Sequence, residues 1–85
     1  MFYVYAFYDR TRQIFYIGFT NDLKKRAGEH NMGKTQTTRR MPDKLLVYYE
    51  ACLSKKDAAE REKQLKTGFG RGYLKRRLKD YLAGL

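Results

Sequence analysis

Two apolar-aromatic runs, residues 2–8 (FYVYAFY) and 14–19 (IFYIGF), flank a polar break from Asp9 to Gln13. Runs dense in Tyr, Phe, Ile and Val suit a pleated, half-buried surface, and the short break between them predicts a β-hairpin. An even loop with a pairing sum of 21 sets Tyr5 opposite Tyr16, and directly opposed residues share a sheet face. An odd loop offsets the two rings. Asn21-Asp22 then precede Leu23, Ala27 and His30, which predicts a helix capped at its start by a short polar side chain. Arg26 and His30 stand four residues apart on one face of that helix.

Residues 32–43 (MGKTQTTRRMPD) have no periodicity, and Gly33, the paired threonines and Pro42-Asp43 predict a loop longer than a plain connector needs. Residues 44–51 (KLLVYYEA) read as a third strand. Ser54 opens a second helix, with Asp57 three residues on as an acidic variant of a capping box. Ala58, Ala59, Glu62 and Leu65 fall near one face of it, and Thr67-Gly68-Phe69-Gly70 ends it. A final helix over about 71–82 carries Leu74, Leu78, Tyr81 and Leu82 on one stripe. The expected fold is α+β: a small three-stranded, mostly antiparallel sheet with flanking helices, in the order β-β-α-β-α-α. With 85 residues and no internal repeat or Ser/Gly linker, residues 1–85 read as one domain.

Charge narrows the partner. Nineteen Lys/Arg against nine Asp/Glu give +10, a field that draws polyanions to so small a body. Nucleic acid is the first candidate. An anionic membrane surface wants a basic helix with a free apolar face, whereas the apolar stripe of the last helix is needed by the core. No apolar run is long enough to cross a bilayer. The single cysteine, Cys52, excludes an internal disulfide and a cysteine zinc cluster, and reads as a small buried strand residue in a reducing cytoplasm. Candidate phosphate contacts are Lys34, Arg39 and Arg40 in the loop, Lys63 and Lys66 on the second helix, and Arg71 and Lys75 on the last.

Four residue types carry candidate chemistry, each with a plain alternative. Glu62 leans toward the body and suits one Mg²⁺ ion, which keeps several waters and needs only one or two protein oxygens. Taken alone, it reads more readily as the acid of a helix ion pair with Arg61, Lys63 or Lys66. Tyr5 and Tyr16 are ordinary sheet aromatics unless nearby positive charge lowers the usual phenol pKa of about 10. Arg26 clamps a phosphate or shares a solvated face with Lys24 and Lys25. His30 is a proton acceptor or a phosphate or water orienter, or a cation at the helix C-terminus.

As an ordered set, Tyr3-Val4-Tyr5, Tyr16-Ile17-Gly18, Arg26, His30 and Glu62 resemble the GIY-YIG nuclease domain, and look most like its small stand-alone bacterial members. The resemblance runs from the first strand through the last helix. It implies an endonuclease that hydrolyses a DNA phosphodiester in line with one Mg²⁺ or Mn²⁺ ion, leaving 5′-phosphate and 3′-hydroxyl ends. Tyr5 or Tyr16 would activate the water with His30 assisting, Arg26 would bind the phosphate, Glu62 would hold the metal, and Gly18 would keep the backbone compact. It further implies a nucleoid-associated cytoplasmic protein of DNA repair or recombination, with no small-molecule cofactor. Specificity would come from a homo-oligomer or a protein partner. Two positions depart from the family pattern: Tyr3 replaces the first glycine, and no asparagine follows Asn31, with Gly72 in the stretch where one is expected. The competing classes are a non-catalytic nucleic-acid-binding module and a nuclease subunit active only with a partner.

Overall fold

The computed structural model describes the backbone of residues 1–31 and 44–85, with side chains through Gly28 and again from Lys44. Three strands, β1 (Phe2–Asp9), β2 (Ile14–Thr20) and β3 (Lys44–Cys52), form one sheet in the order β2-β1-β3 with both pairings antiparallel. Four described helices accompany it: α1 (Leu23–Asn31), α2 (Lys55–Leu65), α3 (Gly68–Arg77) and α4 (Lys79–Ala83). The architecture is the α+β sheet with flanking helices that the sequence pattern predicts. The final element differs, being two helices rather than one.

The hairpin register also differs from the expected one. Tyr5 pairs with Gly18, and Tyr16 pairs with Phe7. The cause is the turn. Asp9 Oδ1 accepts hydrogen bonds from the Thr11 and Arg12 amides at 2.9 and 3.1 Å, and the Gln13 amide donates to the Asp9 carbonyl at 2.8 Å. Gln13 closes the loop at φ 58°, in the left-handed region. This single closed turn ends the ladder on the pair Asp9–Ile14 and fixes the pairing sum at 23 rather than 21. Tyr5 and Tyr16 still share a face, as diagonal neighbours.

Both faces of the central strand are covered. Val4 and Ala6 are fully buried on one face, Tyr5 and Phe7 nearly so on the other. On the Val4 face, Ala58 and Leu65 of α2 complete a core that Phe2, Ile17, Phe19, Cys52 and Tyr73 surround. Burial of Leu65, Leu74 and Val4 contributes roughly 1.5–3 kcal/mol each. Cys52 is a half-buried free thiol beside this core. On the Tyr5 face, Leu23 and Ala27 of α1 line a cavity with Tyr3, Leu46 and Tyr49. The same face ends in a polar pair, Asp9 and Lys44, directly opposed and both buried. Burial pushes the Lys44 ammonium below its ordinary pKa, and the Asp9 carboxylate pulls back against that shift.

The caps follow the sequence. Asp22 Oδ1 accepts from the Lys25 amide at 3.0 Å, and Ser54 Oγ accepts from the Asp57 amide at 3.3 Å. Between α2 and α3 the break is narrower than Thr67 to Gly70, because α3 already begins at Gly68. Gly70 makes the tight elbow possible: a Cβ there would strike the backbone of Leu65. In the last segment, Leu78 leaves helical geometry at φ −108°, ψ 21° and separates α3 from α4. Leu74 is fully buried, whereas Tyr81 of the expected stripe is 47% exposed.

Candidate active site

β2 is an edge strand. Tyr5 and Tyr16 lie on the sheet face opposite Val4 and α2, and of the two Tyr16 reaches the cavity that α2 lines at that edge. Tyr5 lies beneath this edge. Its ring and hydroxyl rest against Gly18, where any Cβ would collide with them. The signature glycine thus has a packing reason: its missing side chain is the space Tyr5 occupies. Tyr5 also meets Phe7 edge-on, with centroids 5.3 Å apart.

α2 runs along the other face with its core stripe on Ala58 and Leu65. Helical spacing sets Lys55, Glu62 and Lys66 together on the flank beside β2, and Arg61 on the flank beside β3. Glu62 Oε2 lies 3.1 Å from Lys66 Nζ, with the carboxylate side chain 23% exposed and the lysine 56% exposed. Lys66 in turn lines a cavity of about 380 Å³ with Tyr16, Ile17, Leu65 and Arg71. At the opposite end, Arg26 reaches around the end of β2 into a cavity shared with Phe2, Phe19, Thr20 and Lys55. Its neighbour Ala27 lines the cavity on the other face. Arg26 is half-buried with Nε wholly covered, while Lys24 and Lys25 are exposed. The solvated-face alternative therefore describes the lysines and not Arg26.

The result is a seam between β2 and α2. Arg26 and Lys55 stand at one end and Lys66 and Arg71 with Tyr16 at the other, and Glu62, ion-paired to Lys66, falls between Lys55 and Lys66 along α2. Lys55 and Glu62 are two helical turns apart, about 10 Å. Cations thus outnumber acids along this flank, with Arg26 and Lys55 lining one cavity, Lys66 and Arg71 another, and Glu62 ion-paired to Lys66. Sequence reasoning missed Lys55, whose only signal is its seven-residue spacing from Glu62.

The remaining expectations sort by position. Lys63, Lys66, Arg71 and Lys75 are all exposed. Lys66 and Arg71 line the seam, Lys75 follows Arg71 by one turn of α3, and Lys63 projects from the solvent side of α2. His30 falls on α1, but its side chain, like Lys34, Arg39 and Arg40, lies outside the described residues.

A second cluster, on the β3 side, was not anticipated. Tyr48 donates to Glu50 Oε2 at 2.8 Å and its hydroxyl meets that of Tyr73 at 2.9 Å. Arg61 Nε donates to both Glu50 oxygens at 3.0 Å, Nη2 lies 3.0 Å from Oε2, and Nη1 donates to Gln64 Oε1 at 3.1 Å. The guanidinium also sits 4.9 Å from the centroid of the Tyr73 ring. Burial, then the hydrogen bonds with Tyr73 and Glu50, push the Tyr48 phenol well above its ordinary pKa. The Glu50 hydrogen bond likewise raises Arg61. These groups hold one another in fixed charge states, which suits a structural clamp rather than proton transfer.

Fold and charge together define a small basic α+β domain in which an aromatic hairpin packs against a helix that carries Glu62. The chain belongs to the GIY-YIG family, a nuclease-type superfamily: the GIY-YIG catalytic domain model matches residues 1–76. It is similar to a UPF0213 protein of Bacillus pumilus, 40% identical over 53 residues, covering 61% of this chain and 54% of that protein. It is also similar to a UPF0213 protein of Lacticaseibacillus paracasei, 46% identical over 50 residues, covering 56% and 55%. The chain thus spans about half the length of these curated relatives. No solved structure matches it. Among the described residues, no helix is long and apolar enough to cross a membrane.

Proposed function

We propose that this protein is a divalent-metal-dependent DNA endonuclease whose active site is the β2–α2 seam. One observation carries the reading: Glu62 pairs with Lys66 on the flank of α2 that also carries Lys55, and the two cavities beside that flank are lined by Arg26 with Lys55 and by Lys66 with Arg71.

The donor set fits one hard ion. No group of three His, Cys, Asp or Glu side chains gathers among the described residues, which disfavours an all-protein cage of the kind structural zinc demands. A single carboxylate whose partner Lys66 is free to swing into solvent suits Mg²⁺ or Mn²⁺, which fill their remaining positions with water and phosphate oxygen. When bound at Glu62, such an ion supplies charge for the scissile phosphate and the departing oxygen.

The chain's own residues do the rest. Arg26, held by its half-buried stem, binds the phosphate with paired hydrogen bonds and offsets charge that grows on it. Lys55 supports the same phosphate end, and Lys66 and Arg71 hold the strand at the other. Tyr5 and Tyr16 line the nucleophile side, Tyr5 fixed against Gly18 and Tyr16 set in the Lys66–Arg71 cavity. His30, four residues after Arg26 in the sequence, assists in activating the attacking water. DNA then continues over the exposed cations of α3 and the loop residues Lys34, Arg39 and Arg40. So small a surface has little room for reading base sequence. Specificity therefore comes from DNA structure or from a second copy or partner protein, in the setting of repair or recombination on the nucleoid.

The test incubates supercoiled, branched and single-stranded DNA with Mg²⁺ or Mn²⁺, using wild type, Glu62→Ala and Arg26→Ala. We expect cleavage by wild type and a loss of about 10²–10³-fold in both variants, with DNA binding kept in Glu62→Ala. Binding without metal-dependent cleavage of any substrate would instead make this a nucleic-acid-binding module.

A further inference from the structure

One large apolar side chain has no role in the fold or the seam. Phe69, in the first turn of α3, is 58% exposed. Its ring stacks on Tyr73 with centroids 6.3 Å apart and planes within 23°. Tyr73 is itself braced from behind by the Arg61 guanidinium and by the Tyr48 hydroxyl. The outer face of Phe69 therefore belongs to a stacked pair that the Glu50–Arg61 cluster holds rigid.

Cations flank the ring. A Cβ on Gly72, one turn after Phe69, would meet Arg76 Nη1 at 3.3 Å, so the Arg76 guanidinium lies over Gly72 on the side of α3 that carries Phe69. A Cβ on Gly68 would meet Arg71 Nη2 at 3.7 Å, which sets a second guanidinium beside the same turn. Both arginines are exposed.

We propose that Phe69 is a stacking platform for an unstacked base of a DNA strand, with Arg71 and Arg76 beside it on the neighbouring phosphates. The inference rests on the DNA-acting reading above and adds a substrate feature to it. A flat aromatic face with two guanidinium groups along one flank complements a base and its neighbouring phosphates, and base–aromatic stacking tolerates any base. A base inside an intact duplex has both faces covered. Only an extrahelical, junction or single-stranded base can lie on the ring.

The test measures binding in EDTA, so that catalysis plays no part. The probes are a fully paired duplex and the same duplex with one extrahelical 2-aminopurine, each read by anisotropy, with 2-aminopurine fluorescence as a stacking signal. We expect wild type to favour the extrahelical probe about tenfold and to quench its fluorescence. Phe69→Leu should lose both effects while binding the paired duplex within twofold of wild type, and Phe69→Trp should keep them. Retained preference and quenching in Phe69→Leu, or equal weakening on both probes, would overturn the platform. So would a wild-type dimer, seen by sedimentation, that Phe69→Leu dissociates, since the ring would then serve self-association. DNA binding without discrimination overturns this inference alone, whereas absence of DNA binding overturns the DNA-acting reading with it.

Discussion

Arg61 and Glu62 are consecutive residues, yet about 100° of helical rotation gives them opposite surroundings. On the β3 side of α2, Arg61 meets Glu50 through several hydrogen bonds, with Tyr48, Tyr73 and Gln64 closing the remaining polar groups. One negative charge faces one positive charge. On the β2 side, Glu62 pairs with a single half-exposed lysine, and Arg26, Lys55, Lys66 and Arg71 line the two neighbouring cavities. The first arrangement is neutral and geometrically fixed, as folding requires. The second holds surplus positive charge, which a compact fold tolerates only at a cost and an approaching polyanion relieves. The division teaches that counting ion pairs on one helix would hide two different jobs.

The sharpest way to break this comparison is Glu50→Ala. It strands Arg61 and the Tyr48 hydroxyl in a half-buried site, and hydrogen bonds to charged groups contribute roughly 1.5–3 kcal/mol. We expect a loss of about 2 kcal/mol, read as a fall in Tm of roughly 8–16 °C. A loss below about 0.5 kcal/mol would make the β3 cluster ornamental. Glu50→Gln should retain part of the network and fall between wild type and Glu50→Ala.

A smaller effect separates the clamp by pH. Tyr48 has a folded pKa above its unfolded value of about 10. Its contribution to stability is therefore complete below pH 10 and is lost as pH rises beyond it. Lys44 acts in the opposite sense: its lowered folded pKa makes stability rise with pH as the unfolded lysine approaches its own deprotonation near 10.5. Melting curves from pH 8 to 11.5 should show a steep alkaline decline in wild type and a shallower one in Tyr48→Phe, with the Lys44 gain common to both. Parallel curves would remove Tyr48 from the account.

The smallest stability effect belongs to the seam. Lys66→Met breaks an ion pair whose lysine is more than half exposed, and such pairs contribute about 0–1 kcal/mol. Its Tm should stay near that of wild type, while the slope of log affinity for DNA against log salt falls by about one. A stability loss as large as that of Glu50→Ala would erase the contrast between the two sides.

Much of this fold was legible from local chemistry. Alternating aromatic runs marked the strands, Asp22 and Ser54 marked the helix starts, and the spacing of Glu62 from Ala58 and Leu65 turned it toward the body. The hairpin register was not legible, because it depends on how Asp9 folds back on the Thr11 and Arg12 amides. That choice converts an expected Tyr5–Tyr16 pair into Tyr5–Gly18. The register shift beside Ala6, which leaves Val47 of β3 without a paired residue in β1, is likewise a tertiary choice. Leu78 interrupts the last helix with neither glycine nor proline to announce it, and its i→i−4 hydrogen bonds to Leu74 and from Leu82 survive at 2.9 Å. The Glu50–Arg61 clamp joins residues of a strand and a helix whose charges look unremarkable in sequence. Periodicity reports which way a side chain points; only packing reports what it finds there.

The most direct test of the whole account is the rate at which Glu62→Gln nicks supercoiled DNA in saturating Mg²⁺, compared with wild type at equal folded fraction. The amide keeps the shape of the carboxylate and removes its charge. We expect a rate lowered by about 10²–10³-fold in a protein whose Tm is shifted by only a few degrees. A Glu62→Gln protein that nicks DNA at the wild-type rate would contradict it.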